Sequence, residues 1–410
     1  MLRKLFLAVA FSMTASSPVL AADANASFSL QALREAARAS HPSLESARAM
    51  VEAGKAQVIT AGAYPNPDVE FMTGRSRARV PGAATGNVQS LELTQRIDNP
   101  WQREVRIGAA GFGLDALQAE RRFLEVDLLA RLDTRFYDLL RRQAELQAAR
   151  EDLNLAEQIR ARVAVRVDTG EAPRYELIKA DTEFLNAQKA AESANLRIAQ
   201  ARAALRSLVG PSLPEGFRVD GTLAKAQAVP ALEDLRAEVL ARNPELKRAD
   251  AQVLQAEQQL ELERLRRHPE LALRVAEDRD PEIRDSRFGV LVSVPLWDRR
   301  RGPVAEAGAL LLKRRSDRAS QELILLQSLE NAYRQYEIAQ TQVTALETGI
   351  LREAEAALKV AEAAYRFGER GILDYLDAQR VFRAARNELI AARYELRVAA
   401  IEIERLRAVQ

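Results

Sequence analysis

Few side chains in this 410-residue sequence could carry out covalent or metal chemistry. Cysteine is absent, and the two histidines, His41 and His268, are each followed by a proline at the predicted boundary of a helix or strand. Disulfides, thiol catalysis and cysteine-based zinc sites are therefore excluded, and a serine–histidine triad or a histidine metal cage has little material. We predict no enzyme activity, no cofactor and no metal site.

Two groups of carboxylates remain as candidates for binding. The acidic residues of segment 278–285 alternate with arginines, which is typical of a solvated loop rather than a cation site. Asp374 and Asp377 are three residues apart, so they share one face of a predicted helix and could attract cations. Arg370 stands four residues before Asp374, so an ordinary surface ion pair is the alternative interpretation from the residues alone.

The overall charge argues against a nucleic-acid binder. The chain has 60 Lys+Arg and 58 Asp+Glu, which leaves a formal net charge of +2 although 29% of the residues are charged. A nucleic-acid-binding domain would show a clustered basic excess. The low aromatic content of 5% beside 47% hydrophobic residues is instead typical of alanine- and leucine-rich helices in close contact.

The N-terminus has the features of an export signal. Arg3 and Lys4 precede the short apolar segment 5–13, and small residues follow over 16–24. We predict a signal peptide over residues 1–22, cleaved after Ala21 or Ala22. No later stretch approaches the roughly 20 apolar residues that a membrane helix needs, so entry into a membrane would require strands.

An internal duplication is the most informative pattern in the sequence. The segment HPSLESARA (41–49) aligns with NPELKRADA (243–251), and a second pair of segments aligns through Gly170 and Gly368. We predict a first repeat over 23–209, a connector over the proline- and glycine-containing segment 210–230, and a second repeat over 231–410.

Matched seven-residue rows follow both glycines. A row of four alanines ending in a leucine occurs in each half, beside a second row of larger apolar residues. The alanine rows are Ala180, Ala187, Ala194, Ala201, Leu208 and Ala378, Ala385, Ala392, Ala399, Leu406; the other rows are Leu177, Phe184, Ala191, Ile198, Leu205 and Tyr375, Phe382, Leu389, Leu396, Ile403. This period predicts left-handed supercoiling, and the alanines allow helix backbones to approach closely.

Each repeat also predicts one very long helix and one β-hairpin. The helices cover 101 to about 167 and 299 to about 367, and each would be about 100 Å long. The hairpins cover about 66–97 and about 269–297, with individual strands of a length that crosses a bilayer when tilted. Four strands are too few to close a membrane barrel, so either the hairpins lie on a soluble core or several chains share one barrel.

These features resemble the TolC family of outer-membrane efflux channels, over essentially the whole mature sequence. The resemblance implies a mainly α fold with a small β part, in which the helix–β-hairpin–helix unit is duplicated. It further implies a long α-helical coiled-coil barrel in the periplasm and a homotrimer whose four strands per chain form a twelve-stranded outer-membrane β-barrel. Among family members, the short form without a lipidated cysteine is most similar to channels of heavy-metal efflux systems of the cobalt–zinc–cadmium type.

The resemblance also assigns roles at the periplasmic tip. Tyr365, Arg370 and Glu176 correspond to a periplasmic gate, where Glu176 takes the place of a family aspartate. Asp374 and Asp377 correspond to an acidic ring at the tunnel entrance, which threefold symmetry would bring around one narrow mouth. Gly170 and Gly368 correspond to the tip turns, where the adaptor docks.

The function implied is a passive exit duct of a tripartite efflux system. Its partners would be an inner-membrane RND pump, a periplasmic adaptor protein and outer-membrane lipid. The exported substrates would be metal ions or drugs. The alternative is a soluble periplasmic coiled-coil scaffold or adaptor, which predicts that the chain's own helices cover the apolar faces of the hairpins.

Overall fold

The computed structural model describes residues 27–77, 79–210, 213–223 and 228–409. The predicted signal peptide, residues 1–22, lies outside the described residues. The first part of the chain contains β1 (Ser27–Phe28), α1 (Leu30–Ser40), α2 (Pro42–Gly62), β2 (Asp68–Ser76), β3 (Gly86–Ile97), α3 (Pro100–Asp168) and α4 (Arg174–Val209). The second part contains β4 (Arg218–Val219), α5 (Leu232–Arg242), α6 (Pro244–Leu265), β5 (Glu270–Arg279), β6 (Arg284–Ser293), α7 (Arg301–Ala345), α8 (Leu351–Arg366) and α9 (Ile372–Arg407).

The aligned His41-Pro and Asn243-Pro segments both begin helices. The His41 ring nitrogen Nδ1 accepts from the Ser43 N–H at 3.2 Å, and the Asn243 side-chain oxygen accepts from the Glu245 N–H at 2.9 Å. Each proline occupies the first turn, where its missing N–H is not needed. The two histidine- or asparagine-proline pairs are therefore helix starts.

The two long helices are confirmed. Helix α3 has 69 residues without interruption, which corresponds to about 100 Å. Its counterpart consists of α7, a π-helical turn at Leu346–Ile350 and α8, which continue one another. The π turn is a local widening that the sequence pattern did not predict.

Four of the strands form one antiparallel sheet in the order β2-β3-β5-β6. The β2-β3 hairpin agrees with the prediction, whereas β6 ends at Ser293 and residues 294–297 lie outside it, which corrects the predicted end of the second hairpin. Pro295 explains the difference, because it has no N–H to continue a strand ladder. The short strands β1 and β4 pair in parallel as a separate sheet.

The helical core contains the predicted heptad rows. Ala187, Ala194 and Ala201 of α4 and Ala385, Ala392 and Ala399 of α9 are all buried. Because alanine keeps the distance between helix axes small, the helices pack along their length without large side chains. Within the predicted connector, Phe217 is fully buried in the core that surrounds α1, α3 and α4.

A buried ion pair joins α1 to the middle of α3. Asp133 is 1% exposed, and the Arg34 guanidinium donates to both of its carboxylate oxygens. Burial raises the pKa of Asp133 above its ordinary value, and the bond from Arg34 opposes that shift. Nearby, Arg397 of α9 donates to the Tyr137 hydroxyl at 2.6 Å. An ion pair therefore holds α1 on α3, and a hydrogen bond from Arg397 to the Tyr137 hydroxyl holds α9 there, in a mostly apolar core.

Candidate functional site

The predicted tip turns have the same backbone geometry. Gly170 follows α3 with φ 78°, and Gly368 follows α8 with φ 76°. In the first turn the Gly170 N–H donates to the Val167 carbonyl at 3.1 Å and the Glu171 N–H donates to the Arg166 carbonyl at 2.8 Å. This is the Schellman pattern, in which a residue with positive φ lets the chain leave the helix and satisfies its last carbonyls.

The second turn repeats these bonds. The Gly368 N–H donates to the Tyr365 carbonyl at 3.2 Å, and the Glu369 N–H donates to the Ala364 carbonyl at 2.9 Å. Helices α4 and α9 begin after the turns, and both have 36 residues. The glycine-centred sequence motif thus corresponds to one structural device used twice.

Apolar side chains join the two turns into a tip cluster. The Tyr365 and Tyr375 rings are stacked, with their centroids 5.9 Å apart and an interplanar angle of 11°. The Arg166 guanidinium lies over the Tyr365 ring at 5.2 Å, and burial raises the pKa of the Tyr375 hydroxyl. The tip cluster consists of Ile159, Val163, Ala180, Tyr365, Ile372 and Tyr375. The two helical hairpins therefore end side by side.

The three predicted gate residues do not hydrogen-bond to one another within one chain. The Tyr365 hydroxyl and the Glu176 oxygen Oε2 are both buried, and neither has a hydrogen-bond partner among the described residues. The Arg370 side chain is 66% exposed and lies 3.6 Å from Asp374. Tyr365 and Glu176 thus each have a buried polar atom without a hydrogen-bond partner, and Arg370 forms an ion pair with the nearby Asp374.

The two aspartates predicted to form the entrance ring are exposed on α9. Asp374 and Asp377 have side chains 55% and 60% exposed, near the helix start where carboxylates are favoured. Each is accompanied by an arginine, Arg370 for Asp374 and Arg380 for Asp377. Within a single chain they form the local ion pairs that the sequence offered as the alternative.

The sequence analysis did not predict the ion pairs that join α9 to helices α3 and α4. Arg386 donates to Asp152 at 2.7 Å and to the Ala148 carbonyl at 3.1 Å, and Arg383 donates to Glu183 at 3.2 Å. Burial raises the pKa of Asp152, and Arg386 opposes the shift. These partners are more than 190 residues apart in the chain. No local pattern could have matched them.

The four-stranded sheet has two chemically different faces. The register places Phe71 opposite Leu91, Leu93 opposite Val275, and Leu273 opposite Val290. These residues belong to an apolar face whose large side chains are 36–72% exposed. Its members are Val69, Phe71, Leu91, Leu93, Ile97, Leu271, Leu273, Val275, Phe288, Val290 and Val292.

The other face of the sheet is mainly polar. Glu92 and Arg274 form an ion pair at 3.0 Å on this face, where Glu70 also lies. The helices that the structure describes include none that is both long and apolar enough to cross a membrane. The chain nevertheless exposes an apolar surface far larger than scattered side chains would give, which marks an interaction face.

Comparison with known proteins identifies a family. A family model described as outer membrane efflux protein matches residues 33–211 and 235–408. Curated protein sequences gave no match.

Solved structures resemble most of the chain. The outer-membrane channel OprN superposes with a TM-score of 0.81 at 19% identity, over 93% of this chain and 90% of that one. A membrane protein from Pseudomonas aeruginosa gives 0.82 at 20% identity, over 92% of each chain. CusC, whose structures concern folding and transmembrane channel formation, gives 0.78 at 19% identity, over 92% and 91%. At such identities the likeness establishes the fold, and it confirms the predicted mainly α class with a small β part.

The tip turns give a test by matched substitutions. Gly170→Ala and Gly368→Ala should each destabilise the local turn by about 1–2 kcal/mol, because a Cβ at positive φ is strained. Hydrogen exchange of the Glu171 and Glu369 amides should then become about tenfold faster, since 1.4 kcal/mol is a factor of ten.

Gly308 in α7 is the control. It has no positive φ and open space where a Cβ would be, so Gly308→Ala should stabilise its helix by up to about 1 kcal/mol. A Gly368→Ala variant that is protected from exchange as well as Gly308→Ala would contradict the turn geometry.

Proposed function

Because this chain belongs to the outer membrane efflux protein family, we propose that it is the outer-membrane exit duct of a tripartite efflux system. In this proposal the signal peptide over residues 1–22 directs export, and two repeats, 23–209 and 231–410, form the mature unit around the connector 210–230. The duct works with a periplasmic adaptor and an inner-membrane RND pump, and the pump supplies the driving force.

One observation carries the proposal: the apolar face of the sheet is exposed while the opposite face is polar. Strands of 9 to 12 residues match the length that a tilted membrane strand needs. The soluble-scaffold alternative expects the chain's own helices to cover the apolar face, and the exposure of Phe288, Val290 and Val292 counts against it.

Closure of the sheet requires more than one copy of the chain. Strands β2 and β6 are the two edges of the sheet, and each would leave unpaired backbone groups in lipid. Four strands cannot close alone, whereas pairing β6 of one copy with β2 of the next closes a barrel once enough copies join. Three copies give twelve strands, in agreement with the resemblance noted above.

We further propose that symmetry completes the tip. Around a threefold axis, the buried Tyr365 and Glu176 side chains would turn toward neighbouring copies, hydrogen-bond to them and hold the entrance shut, with Arg370 as a second donor. Asp374 and Asp377 would then line the mouth, with adaptor docking beside the turns at Gly170 and Gly368. A heavy-metal cargo of the cobalt–zinc–cadmium type stays a prediction, as does transport of drugs.

Membrane insertion can be tested on neighbouring residues of β6. Val290 lies on the apolar face and Leu291 on the polar face, and they are 57% and 45% exposed. Val290→Arg places a charge in lipid at a cost of about 2–4 kcal/mol and should deplete cross-linkable trimers from outer-membrane fractions. Leu291→Arg would face the aqueous lumen and should assemble like the unaltered chain. Equal recovery of both variants, or wild-type protein in the soluble periplasm, would exclude the duct.

The gate assignment predicts a change in conductance. Tyr365→Phe, Arg370→Ser and Glu176→Gln should each raise the mean conductance of channels in planar bilayers. A lost hydrogen bond of about 1.5 kcal/mol shifts the closed–open equilibrium about tenfold. Arg352→Ser is a suitable control, because Arg352 is exposed and forms an ion pair with its sequence neighbour Glu353. Unchanged conductance in all three variants would contradict the gate.

The acidic ring predicts cation selectivity with two opposite effects. Asp374→Asn with Asp377→Asn should reduce the selectivity, measured as the reversal potential in a salt gradient. Arg380→Gln should increase it, because it removes the cation that accompanies Asp377. Asp317→Asn on α7, where Lys313 is its helix partner, is the control. An unaltered reversal potential in the double variant would refute the ring.

A further inference from the structure

The apolar face of the sheet changes character at the end where the hairpin loops lie. On β2, Arg75 is on the same side as Val69 and Phe71, because alternate residues share a face. On β5 and β6, Arg279 and Arg284 are directly opposite each other and continue the face of Val275 and Phe288. The face is therefore apolar along most of its length and basic at its loop end.

The first hairpin loop extends this basic end. Arg77 and Arg79 follow β2 and are exposed, and no acidic residue occurs between positions 71 and 91. We name Arg75, Arg77, Arg79, Arg279 and Arg284 the arginine rim. Five guanidinium groups thus lie at the end of the sheet that is farthest from the helices.

Most of the arginine rim has no ionic partner. Among the described residues, Arg75, Arg77, Arg79 and Arg279 take part in no ion pair or side-chain hydrogen bond, whereas Arg284 pairs with Glu277. The acidic residues of the second loop are used elsewhere. Asp280 accepts from the Glu282 and Ile283 N–H groups, and Glu282 accepts from the Ala84 N–H. These carboxylates hold the turn and keep their charge, so the part of the rim free of acidic neighbours in sequence is Arg75, Arg77 and Arg79 on the first β-hairpin.

The end of the sheet nearest the helices carries exposed aromatic side chains. Tyr64, Trp101 and Trp297 are exposed there, at 70%, 69% and 93% of their surface. Amphipathic aromatic rings are favoured at the level of lipid headgroups. The sheet is thus bounded by aromatic rings near the helices and by arginines near the loops, with the apolar face between them.

We propose that the arginine rim binds the phosphate groups of an anionic glycolipid in the outer leaflet. This inference rests on the proposed function, which puts the loop end at the outer surface. Guanidinium groups bind phosphate with paired hydrogen bonds, and these would lie at headgroup height directly beyond the acyl-chain region. The bound lipid anchors the depth and tilt of the sheet in the membrane.

The test compares lipid binding by the detergent-purified full chain, assayed by native mass spectrometry. The test variant is Arg75→Gln/Arg77→Gln/Arg79→Gln. The matched control is Arg197→Gln/Arg218→Gln/Arg352→Gln, which removes three exposed arginines from the helices and the connector. The probes are bis-phosphorylated lipid A, lipid A without its phosphates, and inorganic phosphate as a competitor.

We expect the test variant to bind bis-phosphorylated lipid A at least about tenfold more weakly. The reason is that each basic residue near an anionic lipid surface adds to the affinity for that surface. The control variant should bind like the unaltered chain, and dephosphorylated lipid A should bind weakly to all three proteins. Equal affinity of the test variant and the unaltered chain would overturn the proposal. Displacement of lipid A by equimolar inorganic phosphate would also overturn it, since the site would then recognise a free anion.

The conductance of the test variant separates this inference from the proposed function. The rim lies outside the gate and the entrance ring, so single-channel conductance should be unchanged while lipid binding falls. An unaltered chain that forms no channel would refute the duct. A conducting test variant with undiminished lipid A affinity would refute the rim alone.

Discussion

The rest of the structure depends on one constraint: a sheet of four strands can neither cover its own apolar face nor pair its own edges. Inside a soluble protein, helices would pack on that face, but here its large side chains are 36–72% exposed and the helices extend away from it. Backbone groups at the edges β2 and β6 must also find partners if the sheet enters lipid. In the proposed membrane duct a single chain would therefore be an incomplete unit, and assembly would be part of its fold.

The long helices also need neighbours, and rows of alanine together with buried ion pairs provide the contacts. An uninterrupted helix of about 100 Å cannot be wrapped by one globular core, so it must be stabilised along its length by neighbouring helices. Rows of alanine allow that close packing, and buried pairs such as Arg34 with Asp133 fix which helices are neighbours. Alanine rows alone would tolerate sliding of one helix along another, whereas a buried charge has only one position where it is paired.

Sequence reasoning predicted what local patterns determine. Helix starts at His41 and Asn243, the turns at Gly170 and Gly368, and the alternation in the hairpins all depend on residues close together in the chain. The end of β6 before Pro295 was missed although its cause is local, because apolar alternation continues past the proline. The pairing of β3 with β5 and the bond from Arg386 to Asp152 join residues that are far apart in the chain. A single sequence does not show which of such distant residues are partners. Arg370 lies in the turn before α9, and within one chain its side chain is 3.6 Å from Asp374 in the first turn of that helix, so its role in a gate stays a prediction.

Some of the buried polar atoms that lack a hydrogen-bond partner lie near the two tip turns. Buried polar atoms in folded proteins are nearly always hydrogen-bonded. Among the described residues, the Tyr365 hydroxyl, the Glu176 oxygen Oε2 and the Gln379 nitrogen Nε2 are buried without a partner near the two turns. Four further buried atoms without a partner lie along the helices, the Nε atoms of Arg141, Arg202, Arg383 and Arg386. Leaving such groups unpaired costs about 1–3 kcal/mol each. Because they are buried inside their own chain, a neighbouring copy in the proposed trimer would pair them only after their side chains turn outward. In the proposed gate, an entrance held closed by such bonds would open once a competing contact replaces them, because only a few kcal/mol would separate the two states. In that proposal, the atoms left unpaired in one chain are the ones that would let the assembled tip switch.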